Sequence, residues 1–136
     1  MARELVLFLR RPAGQAQLSV SLSAQANEMK SIHELQVWIA EHLHKELSVP
    51  LLAERVAMSV RNFERIFARQ MGKSPARYIC EARVEAAQRL IDRTEKGLDE
   101  IALASGFSSA DVMRRAFVRT VGITPHGYRE LAEKSS

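Results

Sequence analysis

The chain has a single cysteine, Cys80, so no internal disulfide framework is possible. That usage suits a reducing compartment, and residence in the cytoplasm is expected. No run of about eighteen apolar residues occurs, so no membrane-spanning segment is expected. The start, MARELVLFLRRPAG, has an apolar stretch from Leu5 to Leu9. It is too short for a signal peptide, Glu4 sits beside it, and Arg10-Arg11 follow it. No segment sustains a two-residue alternation of apolar and polar side chains, which excludes half-buried strands and points to an all-α fold of about seven helices. No Gly-rich phosphate loop and no paired-carboxylate arrangement is present, which leaves an enzyme reading little support. What the chain does have is arginine. Fifteen of its twenty basic residues are Arg, at a net charge of +4 and a pI of about 9.6. From Met58 to Arg93 there are eight Lys or Arg against four Asp or Glu, and from Phe107 to Arg129 four Arg against Asp111 alone. Arg forks onto phosphates and guanine edges, where Lys acts as a point charge.

The chain also repeats itself. Residues 52–78 read LAERVAMSVRNFERIFARQMGKSPARY and residues 101–128 read IALASGFSSADVMRRAFVRTVGITPHGY. At a shift of fifty, Arg65, Phe67, Arg69, Gly72, Pro75 and Tyr78 fall on Arg115, Phe117, Arg119, Gly122, Pro125 and Tyr128. Before the turn the shift is forty-nine, so Ala53 falls on Ala102 and the second copy has one extra turn residue. A repeat sets the architecture. The unit here is helix, short turn, Arg-rich helix, and two such units suit an extended periodic partner such as duplex DNA.

Along the chain, residues 2–10 have helical apolar spacing, and residues 11–30 have the Gln, Ala and Ser content, with Pro12 and Gly14, of a linker. Ser31 and Glu34 have capping-box spacing, so the folded unit is expected to begin there, with Ile32, Leu35, Trp38, Ile39 and Leu43 as its apolar stripe. Pro50 opens the next helix and Ala57-Met58-Ser59 forms a turn. Ser59 is expected to cap a helix from Val60 to Met71 with Phe63, Ile66 and Phe67 inward, stopped by Gly72. Ser74-Pro75 starts a long helix to about Thr94. The second unit follows: Ile101 and Ala102 inward, Gly106 in the turn, Ser108 or Ser109 as cap, then Val112, Met113, Ala116 and Phe117 inward, and a stop at Gly122. Thr124-Pro125 starts a short last helix through Tyr128 and Leu131. The expected division is residues 1–30 as helix remnant and linker, 31–131 as the folded domain (first unit 49–72, long helix 75–94, second unit 98–122) and 132–136 as a tail.

Residues three and four apart share a helix face. On the first Arg-rich helix, Arg61, Glu64 and Arg65 lie opposite the inward residues and are candidate base-facing groups. Arg bridges guanine O6 and N7, and Glu accepts from cytosine N4. On the second, Ala110, Asp111 and Arg114 take those positions. Ala110 reaches only a thymine methyl, and Asp111 accepts from cytosine while repelling phosphate, so weaker base reading is expected there. Val60, Asn62, Arg69, Lys73, Ser109, Arg115 and Arg119 are candidates for backbone or base-edge contact, which fixes register rather than reading sequence.

These residues resemble the C-terminal DNA-binding domain of AraC/XylS-type transcription regulators, over about residues 31–131. Ile101-Ala102, Gly106-Phe107-Ser108, Arg115, Phe117, Gly122-Ile123-Thr124-Pro125 and Tyr128-Arg129 carry most of the resemblance. Leu52-Ala53, Met58-Ser59, Phe63, Arg65, Phe67 and Gly72 add the first copy, and Arg83, Ala87 and Leu90-Ile91 look like the family's linker-helix pattern. The resemblance implies two helix-turn-helix units joined by a long helix and reading successive major-groove segments of double-stranded DNA at an operator or promoter. It also implies a bacterial regulator, often an activator, associated with the nucleoid and with RNA polymerase as a second partner. Two departures stand out. Ala57 occupies a turn position where Gly is common, which is tolerable only if its φ stays negative, and Val112-Met113 replace a frequent aromatic. Residues 2–19, ARELVLFLRRPAGQAQLS, resemble the junction in GlxA-like regulators where a PfpI-type, amidotransferase-like sensor domain ends. That implies a C-terminal portion, truncated or separately encoded, with an effector acting only through the absent sensor domain.

Other readings are weaker. His42 and His44 are two apart and point to different sides of a helix, and His33 is nine from His42, so no metal site is expected. Cys80 lies mid-helix among apolar neighbours, as an inert packing residue does. No cofactor is expected. The rival to DNA binding is a basic helical protein-interaction module, which predicts neither steep salt dependence nor preference among DNA sequences.

Overall fold

A computed structural model describes residues 12–135, with side chains from residue 22 onward. Among the described residues the regular structure is all helical. The seven helices are α1 (Pro12–Glu41), α2 (Val49–Arg55), α3 (Val60–Met71), α4 (Pro75–Arg93), α5 (Leu98–Ala104), α6 (Ala110–Val121) and α7 (Pro125–Ser135). The expected helical turns at residues 2–10 lie outside the described residues.

Two expectations are corrected at the ends. The stretch read as a linker is helix: α1 runs unbroken from Pro12 to Glu41, about 45 Å, and Ser31 lies inside it rather than capping a start. Pro12 sits where a helix tolerates it, and no Gly or Pro interrupts residues 15–41. The Ser residues that suggest a linker cost a helix only a few tenths of a kcal/mol each, and Ala, Gln and Leu offset that. At the other end, residues 132–135 continue α7 instead of forming a tail.

The polar and apolar faces of the helices produce two separate cores. The first gathers Ile32, Leu35 and Ile39 of α1 with Leu52, Phe63 and Phe67. The second gathers Val84, Ala87 and Ile91 of α4 with Ile101, Met113 and Phe117. The long helix α4 serves both, giving Ile79 to the first core and its later turns to the second. The repeat extends to the aromatic contacts. Phe67 meets Tyr78 edge-on at 5.4 Å, and Phe117 meets Tyr128 edge-on at 5.5 Å.

The two turns share one geometry. Met58 N–H donates to Ala53 O at 2.9 Å, and Phe107 N–H to Ala102 O at 2.9 Å. Closing a helix in that way puts the residue before the donor in the left-handed region. In the second turn that residue is Gly106, at φ 99. In the first it is Ala57, at φ 58, so the condition of a negative φ fails. An L side chain there costs roughly 1–2 kcal/mol, which the packing of the first core over-determines.

Candidate nucleic-acid interface

Each Arg-rich helix is fixed at both ends before it can present anything. Ser59 Oγ accepts from Asn62 N at 3.1 Å at the start of α3, and Ser109 Oγ accepts from Val112 N at 3.2 Å at the start of α6. Gly72 and Gly122 close the helices at φ 77 and 96. Phe63, Ile66 and Phe67 of α3 and Met113, Ala116 and Phe117 of α6 are buried, so the opposite faces turn outward.

On α3, Arg61, Glu64 and Arg65 are exposed together. Arg65 Nη2 donates to Asn62 Oδ1 at 2.5 Å, whereas the side chains of Arg61 and Glu64 have no hydrogen bond or ion pair among the described residues. Val60 is exposed beside them. The two other α3-side candidates are already engaged: Arg69 pairs with Glu28 of α1 at 3.3 Å, and Lys73 pairs with Glu81 of α4 at 2.5 Å. The hydrogen bond from Lys73, then that from Arg77, holds the Glu81 carboxyl below the usual carboxylate range.

On α6 the arrangement differs. Ala110 is half-buried and packs against the second core. Asp111 is exposed but taken by two guanidinium groups of its own helix, Arg114 at 2.5 Å and Arg115 at 3.5 Å. The Arg114 hydrogen bond, then the charge of Arg115, holds the Asp111 carboxyl below its ordinary value. Arg119 Nη2 donates to Cys80 Sγ at 3.5 Å. Five of the six nominated base-facing side chains are therefore outward, and the second helix offers arginines partly neutralised by Asp111. Elsewhere His42 Nδ1 donates to Trp38 O at 2.7 Å, and among the described residues no group of His, Cys, Asp or Glu could hold a metal ion. Among the described residues, no helix is long and apolar enough to cross a membrane.

A family model described as "Helix-turn-helix domain" matches residues 52–131, which spans both units and the helix between them. The chain belongs to the AraC/XylS family of transcription regulators. The HTH-type transcriptional regulator Rv1931c of Mycobacterium tuberculosis (strain ATCC 25618 / H37Rv) is 46% identical over 79 residues, 58% of this chain and 30% of that protein. The DNA-binding domain of AdpA, a global transcriptional factor crystallised with a target DNA, is 36% identical with a TM-score of 0.74, over 76% of this chain and 93% of that one. An AraC-type regulator from Chromobacterium violaceum is 29% identical with a TM-score of 0.70, over 79% and 96% of the two chains. The chain spans less than half the length of Rv1931c and of the other curated relatives it matches. AraC/XylS membership accounts for the duplicated units and makes the module one of regulators rather than enzymes.

One residue of this AraC/XylS module has a role that its spacing does not reveal. Arg83, on α4, sends Nε to Leu43 O at 3.0 Å and Nη2 to Lys45 O at 2.8 Å, both in the segment between α1 and α2. Burial pulls its pKa below the usual arginine value. Besides its place in the linker-helix pattern, the signal in the sequence is an Arg on the largely apolar side of the helix that bears Ile79, Ala87 and Leu90.

Proposed function

We propose that this chain binds double-stranded DNA sequence-specifically as the DNA-reading part of a transcription regulator, with α3 and α6 in successive major-groove segments. The observation that carries the reading is the duplicated unit itself: two capped helices, each locked into its own core by three buried residues, each exposing arginines on the other side. Residues 31–131 are the module, and residues 12–30 of α1 lie outside it. The target DNA in the AdpA structure supports the same ligand class here.

Arg61, Glu64 and Arg65 read bases, with Arg65 held in place by Asn62. Ala110, Asp111 and Arg114 face the second groove segment and discriminate less, because Asp111 neutralises Arg114 and Arg115. Val60, Asn62, Arg69, Lys73, Ser109, Arg115 and Arg119 grip backbone or base edges, and for Arg69 and Lys73 this requires exchange of Glu28 and Glu81 for phosphate. The protein works in the cytoplasm at the nucleoid. RNA polymerase is its second partner, and an effector acts through a sensor region of the GlxA-like kind.

Selection from random duplexes at about physiological salt tests this. The expected result is one enriched site with two blocks about one helical turn apart. In the same assay Arg65→Ala is expected to lose about 1–3 kcal/mol and to relax preference at one position. Equal losses on specific and random DNA would remove Arg65 from base reading. No enrichment, with binding that vanishes on adding salt, would favour a basic protein-interaction module instead.

A further inference from the structure

We infer that Arg83 is a positioning residue that sets the separation between the two DNA blocks, by locking the first helix-turn-helix unit against the second. The inference rests on the two-helix reading above and concerns what holds the two helices in register.

The two units have separate cores, and α4 is the element common to both. A single helix fixes the distance between units but resists poorly their rolling about its axis. Between them opens a cleft of about 410 Å³, with Leu47 and Val49 on one wall, Phe107 and Val112 on the other, and Ile79 beneath. An open cleft supplies no close-packed surface against rolling.

At the edge of this cleft three segments converge. Arg83 of α4 forks onto Leu43 O and Lys45 O, in the segment that leads into the first unit and whose Leu43 is part of the first core. Gly106, in the turn of the second unit, lies so close that a Cβ on it would collide with Leu43 O and stand 2.6 Å from Arg83 Nε. One guanidinium thus ties the first unit's loop to α4 while the second unit's turn is pressed on both. The bonds are directional and charge-assisted, the class that constrains geometry most. A lysine there would be a point charge without the fork that spans two carbonyls. Because block separation on DNA mirrors the spacing of recognition helices, a contact that sets the second sets the first.

The test compares the full chain with Arg83→Met and Arg83→Lys in two measurements. The first is duplex selection followed by affinities on the chosen site and on versions with one base pair added or removed. For the unchanged chain the altered separations are expected to bind about tenfold more weakly, the loss of roughly one good base contact. Arg83→Met is expected to recover the same blocks at several separations, with a penalty below about threefold, and Arg83→Lys to fall between. An unaltered single separation with the full penalty in Arg83→Met overturns the positioning role. Recovery of one block or none by the unchanged chain defeats the two-helix reading itself. The second measurement uses no DNA: spin labels on Ala68→Cys and Val118→Cys, in a Cys80→Ala background, report the distance between α3 and α6. One narrow distribution that broadens in Arg83→Met is expected, and an unchanged width refutes the lock. Should Arg83→Met not fold, Arg83→Lys carries both measurements, with the same readings for and against.

Discussion

Gly106→Ala and Gly122→Ala make the same chemical change at nearly the same backbone angle, φ 99 and φ 96, in different surroundings. Around Gly122 a new Cβ meets nothing within 4 Å. Its cost is conformational: roughly 1–2 kcal/mol for an L residue at positive φ, less about 0.4–1 kcal/mol from the stiffer unfolded chain, so about 1 kcal/mol net. At Gly106 the same term applies, and the Cβ also overlaps the Leu43 carbonyl and crowds Arg83 Nε at 2.6 Å. Backbone cannot swing aside as a side chain does, so the Leu43 loop must shift, and the carbonyls that Arg83 holds move with it. Losing its two partly solvated bonds adds about 1 kcal/mol each, for a total on the order of 3 kcal/mol. Urea unfolding followed by far-ultraviolet circular dichroism measures both variants. If they agree within about 0.5 kcal/mol, the crowding at Gly106 is not real and the contact between the units loses its support.

Three further outcomes are expected. Asp111→Asn frees Arg114 and Arg115 and removes a negative charge from the exposed face of α6, so affinity for all duplexes should rise about three- to tenfold with a steeper salt dependence; a fall confined to the selected site would instead make Asp111 a base reader. Ala57→Gly should stabilise the fold by about 0.5–1 kcal/mol in the same urea assay, since it relieves a left-handed alanine at φ 58; a destabilised variant would contradict the strain. Tyr128 OH donates to Asp92 Oδ2 at 3.2 Å, and burial, then the Asp92 charge, pushes the phenol above its ordinary pKa. A raised pKa means a contribution present below about pH 10 and lost as pH climbs through the folded value. The stability gap between the parent chain and Tyr128→Phe should therefore close above that pH, and a constant gap would refute the assignment. DNA affinity of folded Tyr128→Phe should be unchanged.

Local rules explain what was legible in the chain. Ser59, Ser74 and Ser109 cap the helices their positions announce, because a cap bond spans only three residues. The inward sets Phe63, Ile66, Phe67 and Met113, Ala116, Phe117 follow from helical periodicity alone. The start of α1 is not legible in the sequence, because Ser-rich composition discriminates weakly between linker and helix and propensity is small per residue. At Ala57 the sequence marks the turn position but not its angle, because the φ imposed by turn closure leaves no mark on an alanine side chain. At the interface, exposure of Arg61 and Arg65 was readable, but their companions were not: Glu28 on Arg69 and Glu81 on Lys73 join residues separated by 41 and 8 positions.

By itself, then, the sequence determined the helices of the repeat, the duplicated unit and the face each Arg-rich helix turns outward, since these depend on spacing within a few residues. Only the tertiary structure decided which arginines are already neutralised and how the two units are held together. Both depend on meetings such as Arg83 with Leu43, forty residues apart, where distance in space is unrelated to distance along the chain.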